Sequence, residues 1–147
     1  MTVAARKTAA RSSAEEALLD AAERLIARQR ELYATDLPFI EKWRTAMRYL
    51  VSEDVSYEKV WLELQALAWN RPDLREHLAR VNARWRAVLT DAFERPHREL
   101  GIEMPLDALV SLVITFNLGI IVERLGGIDA GHDELLAWID GYLAERS

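Results

Sequence analysis

The chain has 147 residues, of which 50% are hydrophobic and 29% are charged, so its length and composition suit one folded domain with a sizeable core. It contains no cysteine, which excludes disulfides, thiolate metal sites and a cysteine nucleophile. The net charge is −5. The charged side chains among residues 1–11 are all basic, namely Arg6, Lys7 and Arg11, so the remainder of the chain is acidic. An acidic surface is poorly suited to binding nucleic acid.

Hydrophobic periodicity and capping signals predict helices along the whole chain. Residues 1–12 lack the apolar run of a secretory signal and are predicted to form a disordered basic leader. Ser13 to Glu16 has the spacing of a capping box, so helical order is predicted from Ser13 to about Ala34. Later helices are predicted at about 38–52, 55–69, 72–94, 105–125 and 133–145, with a polar turn at 52–54, a stop at Pro96 and Asp133 as the last N-cap.

The stretch from Pro105 to Gly127 is the most apolar part of the chain, and it has no charge from residue 108 to 122. One side of the predicted helix is bulky and consists of Leu106, Leu109, Val113, Phe116 and Ile120. The other side is smaller and consists of Ala108, Leu112, Thr115, Gly119 and Val122. We expect the bulky side to face the domain core and the small side to face a second copy, because small residues allow close approach of another backbone.

This pattern predicts a homodimer through the helices at 105–125 and 133–145. The interface candidates are Leu112, Thr115, Gly119, Val122, Leu135, Trp138, Ile139 and Tyr142. The stretch at 105–127 is too short and too interrupted by polar residues to be read as a membrane span, which needs about 20 mainly apolar residues. We therefore expect no membrane association.

Tryptophans recur on three successive predicted helices. They are either ordinary core residues or the wall of an apolar ligand cavity. The ligand-binding candidates are Trp43, Met47, Tyr57, Trp61, Glu63, Trp69, Trp85, Phe116 and Asn117. Glu63 and Asn117 are polar residues in apolar surroundings, and each needs a partner if it is buried. Glu63 is the weaker candidate because it can also lie on an exposed edge.

The sequence contains no Gly-rich phosphate loop and no G-x-S-x-G motif, so no catalytic residue is predicted and the chain is not expected to be an enzyme. His77, His97 and His132 stand beside charged or turn residues and are predicted to be solvent or loop histidines. Glu94 and His97 have the Glu-x-x-His spacing of carboxylate metal bundles, but Pro96 lies between them. Neither a metal nor a cofactor is predicted.

Four segments together resemble the C-terminal effector-binding and dimerisation domain of TetR-type transcriptional regulators. They are AEEALLDAAERLIARQREL, KVWLELQALAWNRPDLREHLARVNARWRAVLTDAF, LVSLVITFNLGIIVERLGG and ELLAWIDGYL. The resemblance implies an all-α, six-helix bundle over residues 13–147, with a pocket between its middle helices and a four-helix dimer interface formed by its last two. It also implies a cytoplasmic protein that senses a small apolar ligand.

The chain departs from this family at its start. Residues 1–12 are too few for the family's helix-turn-helix, so we expect no sequence-specific DNA binding by this chain alone. The leading hypothesis is a dimeric ligand-sensing domain without its own DNA reader, which could also pair with a full-length relative. Two alternatives stay open: a small-molecule enzyme or carrier that uses Glu63 in the same cavity, and a purely structural dimer with a filled core.

Overall fold

The chain is helical throughout the part that its computed structural model describes, residues 2–52 and 56–147, with the backbone alone described at 7–12 and 56–58. The helices are α1 (Val3–Tyr33), α2 (Phe39–Val51), α3 (Ser56–Ala68), α4 (Pro72–Glu99), α5 (Leu106–Leu125) and α6 (His132–Ala144). Neither described range contains a strand, which confirms the all-α prediction. The predicted turn at 52–54 lies mostly outside the described residues, as does the side chain of Tyr57.

Three predicted helix boundaries were wrong. Helix α1 begins at Val3 rather than Ser13: Thr2 caps it by accepting from the Ala5 amide at 3.4 Å, and the Ala- and Arg-rich segment that follows has high helix propensity. Helix α4 continues through Pro96 to Glu99, since a proline removes a single amide donor and the Leu100 amide still bonds the Pro96 carbonyl at 2.8 Å. Helix α6 begins at His132, and its N-cap is the glycine before it rather than Asp133.

Two helix ends are closed by glycine in the left-handed region. Gly101 has φ 61° after α4, and the Ile102 amide bonds the His97 carbonyl at 3.2 Å. Gly127 has φ 80° after α5, and the Ile128 amide bonds the Glu123 carbonyl at 2.9 Å. Both are Schellman-type ends, and the second ends α5 at the Gly126–Gly127 pair of the sequence.

The described chain divides into two compact units where the sequence led us to expect one domain. The first unit comprises residues 1–28 and 56–85, and the second comprises residues 29–55 and 86–147. Helices α1 and α4 each contribute one part to the first unit and one part to the second.

The first unit is built from α1, α3 and the beginning of α4. Its core side chains are Ala22, Leu25, Ile26, Trp61, Leu64, Ala68, Leu74, Leu78, Val81 and Trp85. The Trp61 and Trp85 rings meet edge to face with their centroids 5.8 Å apart, a contact that the short connection between α3 and α4 permits. At its surface Arg71 pairs with Glu15 and Asp73.

The second unit places α2 against both α5 and α6. Its core side chains are Trp43, Met47, Leu50, Leu89, Phe93, Val110, Val113, Ile114, Ile120, Ile121 and Leu143. Arg44 on α2 reaches Asp140 on α6 through two bonds of 2.7 and 3.0 Å, and this ion pair connects the two helices. The Phe39 and Tyr33 rings both meet the Phe93 ring edge to face, at 5.5 and 5.6 Å.

The two sides of α5 differ as the sequence predicted. On the bulky side Val113 and Ile120 are buried, and the other members are partly buried. Every member of the small side is exposed: Ala108, Leu112, Thr115, Gly119 and Val122. The bulky side therefore faces the second unit's own core, and the small side is left uncovered by the described residues.

Candidate functional site

A cavity of about 500 Å³ lies inside the second unit. Its wall is formed by one side of α2, the end of α4, residues 101–104, the bulky side of α5 and the inner side of α6. Small-molecule pockets in proteins usually measure about 300–1,000 Å³, so this volume suits a small organic ligand. We call it the α5–α6 cavity.

Aromatic rings supply much of the cavity wall. Trp43 on α2 meets Phe116 on α5 at a centroid distance of 6.0 Å, with the ring planes inclined by 66°. On the opposite helix Trp138 stacks on Tyr142 at 5.6 Å, with an interplanar angle of 22°. Phe39 and Phe93 also contribute to the wall. Such a lining favours flat apolar or aromatic molecules, which can stack on or abut these rings.

The polar groups of the cavity are few. The turn after α4 brings the Met104 carbonyl to 2.6 Å from His97 Nε2, so this nitrogen donates a hydrogen bond and the ring orientation is fixed. The Arg146 guanidinium lies 3.7 Å over the Tyr142 ring and bonds the Tyr142 carbonyl at 3.3 Å. Glu103 is an exposed carboxylate on the connecting segment. An apolar body with a few polar groups is typical of ligand sites.

The sequence-predicted ligand residues fall into both units. Trp43 and Phe116 line the α5–α6 cavity, and Met47 and Asn117 belong to the same unit without lining it. Trp61, Glu63, Trp69 and Trp85 belong to the first unit. There Trp61 and Trp85 are core side chains, Glu63 is exposed and Trp69 is 72% exposed.

The sequence interpretation missed several cavity residues. Phe39, Phe93, His97, Met104 and Arg146 were not proposed as ligand contacts. Trp138, Ile139 and Tyr142 were assigned to the dimer interface alone, yet they line the cavity. The four-residue spacing of Trp138 and Tyr142 was a usable signal, because residues at i and i+4 share one helix face and both rings can border one space.

The predicted interface residues are largely exposed. Trp138 is 68% exposed, Val122 53%, Leu112 48% and Leu135 40%. A Cβ atom added at Gly119 would meet no other atom within 4 Å. Such an accumulation of apolar surface on two neighbouring helices is more than isolated exposed side chains account for.

Helix α5 is long and apolar enough, by length and composition, to cross a membrane, and no second such helix occurs in the described ranges. Core helices of soluble proteins pass the same test. Of its most apolar 18-residue window, 28% is buried in the described structure.

Three buried polar atoms lack a hydrogen-bond partner among the described residues: Trp61 Nε1, Asn117 Oδ1 and His132 Nδ1. His132 was predicted to be a solvent or loop histidine, and that prediction was wrong, because it is the first residue of α6 and is buried. Its other ring nitrogen lies 2.5 Å from Glu123 Oε2, so the pair connects the beginning of α6 to the end of α5.

The described residues contain no cluster of three or more His, Asp or Glu side chains that could hold a metal ion. Comparison with known proteins finds no matching family model, no matching curated protein and no matching solved structure. The resemblance to TetR-type regulators therefore stays a prediction.

Proposed function

We propose that this chain is a dimeric effector-binding domain of the TetR type, and that its ligand is a small, mainly apolar molecule. The observation that carries this proposal is the α5–α6 cavity, whose volume of about 500 Å³ and aromatic wall suit such a ligand. The exposed small side of α5 supports the dimeric part of the proposal. A regulatory role for the domain, alone or paired with a full-length relative, rests on the sequence resemblance.

Binding is favoured over catalysis by the chemistry of the wall. Besides Tyr142, the ionisable side chains that border the cavity are His97, Glu103 and Arg146. His97 Nε2 is engaged by a backbone carbonyl, and Arg146 lies against an aromatic ring. Glu63, the acid or base of the enzyme alternative, is an exposed residue of the other unit. The polar groups are thus suited to orienting a ligand.

The experiment is a fluorescence titration of the purified chain with N-phenylnaphthylamine, a neutral probe, and with anilinonaphthalene sulfonate, its anionic analogue. We expect saturable binding with one site per chain and energy transfer from tryptophan to the probe, since Trp43 and Trp138 border the cavity. Native mass spectrometry of the same preparation reports the oligomeric state and any copurified molecule. A chain that binds neither probe saturably and carries no ligand is instead a packed structural module, and the proposal fails.

A further inference from the structure

We infer that a second copy of this chain closes the mouth of the α5–α6 cavity, so that ligand binding and dimerisation strengthen each other. This inference rests on the proposed function and adds to it a thermodynamic linkage between the two sites. It starts from an overlap: Leu112, Trp138, Ile139 and Tyr142 border the cavity and also belong to the proposed dimer face.

The overlap lies where the cavity meets the surface. Leu112 and Trp138 line the cavity and yet remain 48% and 68% exposed. Met104, on the segment that precedes α5, also lines the cavity and is 40% exposed. These three side chains therefore form a rim that is apolar on its inner side and uncovered on its outer side. We call Met104, Leu112 and Trp138 the cavity rim.

The rim continues into an uncharged surface on α5. Thr115, Gly119 and Val122 follow Leu112 along the same side of the helix, and all three are exposed. Together with Leu135 and the rim, their exposed surface is on the order of 500 Å², which is most of the roughly 800 Å² that each partner buries in a standard interface. A patch without charge can lie against its own copy across a two-fold axis without like-charge repulsion.

A second copy fits this surface better than a lipid bilayer does. Helix α6 borders the same cavity as α5, meets the end of α5 through the His132–Glu123 pair, and carries Asp133, Glu134 and Asp140. The last of these is held in an ion pair with Arg44 of α2. Inserting α5 into lipid would bring these charges to the hydrocarbon, which is costly, whereas a two-fold contact along the small side of α5 leaves them at its edge.

The direction of the linkage follows from burial of the ligand. Bound small molecules usually have 70–90% or more of their surface buried. In a single copy the exposed cavity rim leaves part of a ligand in contact with water, and a second copy lying on the rim removes that surface from water. The dimer therefore binds the ligand more tightly than the single copy, and by reciprocity the ligand strengthens the dimer by the same factor.

The test is a dilution series of the wild-type chain in sedimentation velocity, with and without saturating N-phenylnaphthylamine. We expect the dimer dissociation constant to fall by about tenfold with the probe, within the range usual for coupled sites. A dissociation constant that stays the same or rises overturns the linkage, while saturable binding and a dimer would leave the proposed function standing. A chain that is monomeric at every concentration also overturns the linkage and leaves ligand binding standing. If the chain does not bind the probe, both the linkage and the proposed function are overturned.

A variant provides the second measurement. Gly119→Arg places a large charge on the face without touching the cavity wall, so we expect a monomer that binds the probe about tenfold more weakly. Ala79→Arg makes a comparable addition at an exposed position of α4 in the other unit and should behave as wild type. Equal probe affinity in a folded Gly119→Arg monomer contradicts the linkage. The linkage is also contradicted if the wild type cosediments with phosphatidylcholine vesicles and Gly119→Arg abolishes this cosedimentation. That result would indicate that a membrane covers the exposed side of α5.

Discussion

Val113→Phe tests whether the α5–α6 cavity is open in solution. Val113 is 4% exposed and lies on the cavity wall, so a larger side chain at this position extends into the empty space. The change adds about four carbon atoms, or roughly 50 Å³ against a cavity of about 500 Å³. The added ring therefore fits without displacing its neighbours.

The magnitude follows from the apolar surface that the new ring buries. Roughly 40–50 Å² of additional buried surface at about 25 cal/mol per Å² stabilises the chain by about 1 kcal/mol. For a chain of this size that corresponds to an increase in melting temperature of about 2–4 °C. Because the ring also takes up ligand space, we expect the affinity for N-phenylnaphthylamine to fall about tenfold, which is a loss of about 1.4 kcal/mol.

The matched control is Val110→Phe on the same helix. Val110 is 2% exposed and does not line the cavity, so the same addition overpacks a filled region and should cost about 1–3 kcal/mol. Thermal and urea unfolding of the three chains, followed by far-ultraviolet circular dichroism, provide the comparison. If Val113→Phe is destabilised as strongly as Val110→Phe, the cavity is filled in solution and the reasoning about ligand binding is refuted.

Substitutions at three further sites, Arg146, Trp61 and Asp140, test other parts of the structure. Arg146→Gln should weaken binding of anilinonaphthalene sulfonate about two- to fivefold without affecting its neutral analogue, and Arg95→Gln, outside the cavity, should change neither. Trp61→Ala should cost about 3–5 kcal/mol in urea unfolding. Trp61→Phe should cost less than half of that, because it removes a buried indole N–H with no partner in the described chain. Arg44 lowers the pKa of Asp140 below its ordinary 3.8, so the stability advantage of wild type over Asp140→Asn should be full at neutral pH and disappear as pH falls below about 4.

The sequence predicted the main division of α5 into a covered side and an exposed side. The structure buries Val113 and Ile120 of the bulky side, partly buries its other members and exposes the small side. Val110, Ile114 and Ile121 are also buried, although the sequence assigned them to neither side. The main division was predictable because a helix with no charge over four turns leaves side-chain size as the main difference between its faces. The glycine stop at its end was equally predictable, since Gly127 adopts a φ of 80° that other residues avoid.

The cavity was only partly predictable, because its wall depends on which helices meet. Trp43 and Trp61 have similar sequence surroundings, but one borders the cavity and the other is core of the first unit. Nothing in the spacing of either helix distinguishes these two outcomes. Arg146 was missed because it reaches the cavity by lying over the Tyr142 ring, a contact between side chains one helical turn apart that depends on rotamers.

Two wrong predictions have local causes. We treated Pro96 as a helix end, but α4 continues past it to Glu99, and the Leu100 amide still bonds the Pro96 carbonyl. We predicted His132 to be a solvent or loop histidine because it stands beside charged or turn residues. It is instead the first residue of α6, directly after Gly131 with its φ of 79°, and it is buried and meets Glu123.

Helix α5 brings the cavity and the proposed dimer face within one element. Leu109, Val113 and Phe116 border the cavity, Gly119 lies on the outward side, and Leu112 belongs to both surfaces. The proposed linkage therefore needs no chain of contacts through the rest of the molecule, since the rim side chains that a ligand touches are those that a second copy covers. It follows that substitutions within the first unit should change stability without changing the effect of a ligand on dimerisation. If substitutions in the first unit did change the effect of a ligand on dimerisation, a conformational change transmitted through α1 or α4 would be indicated.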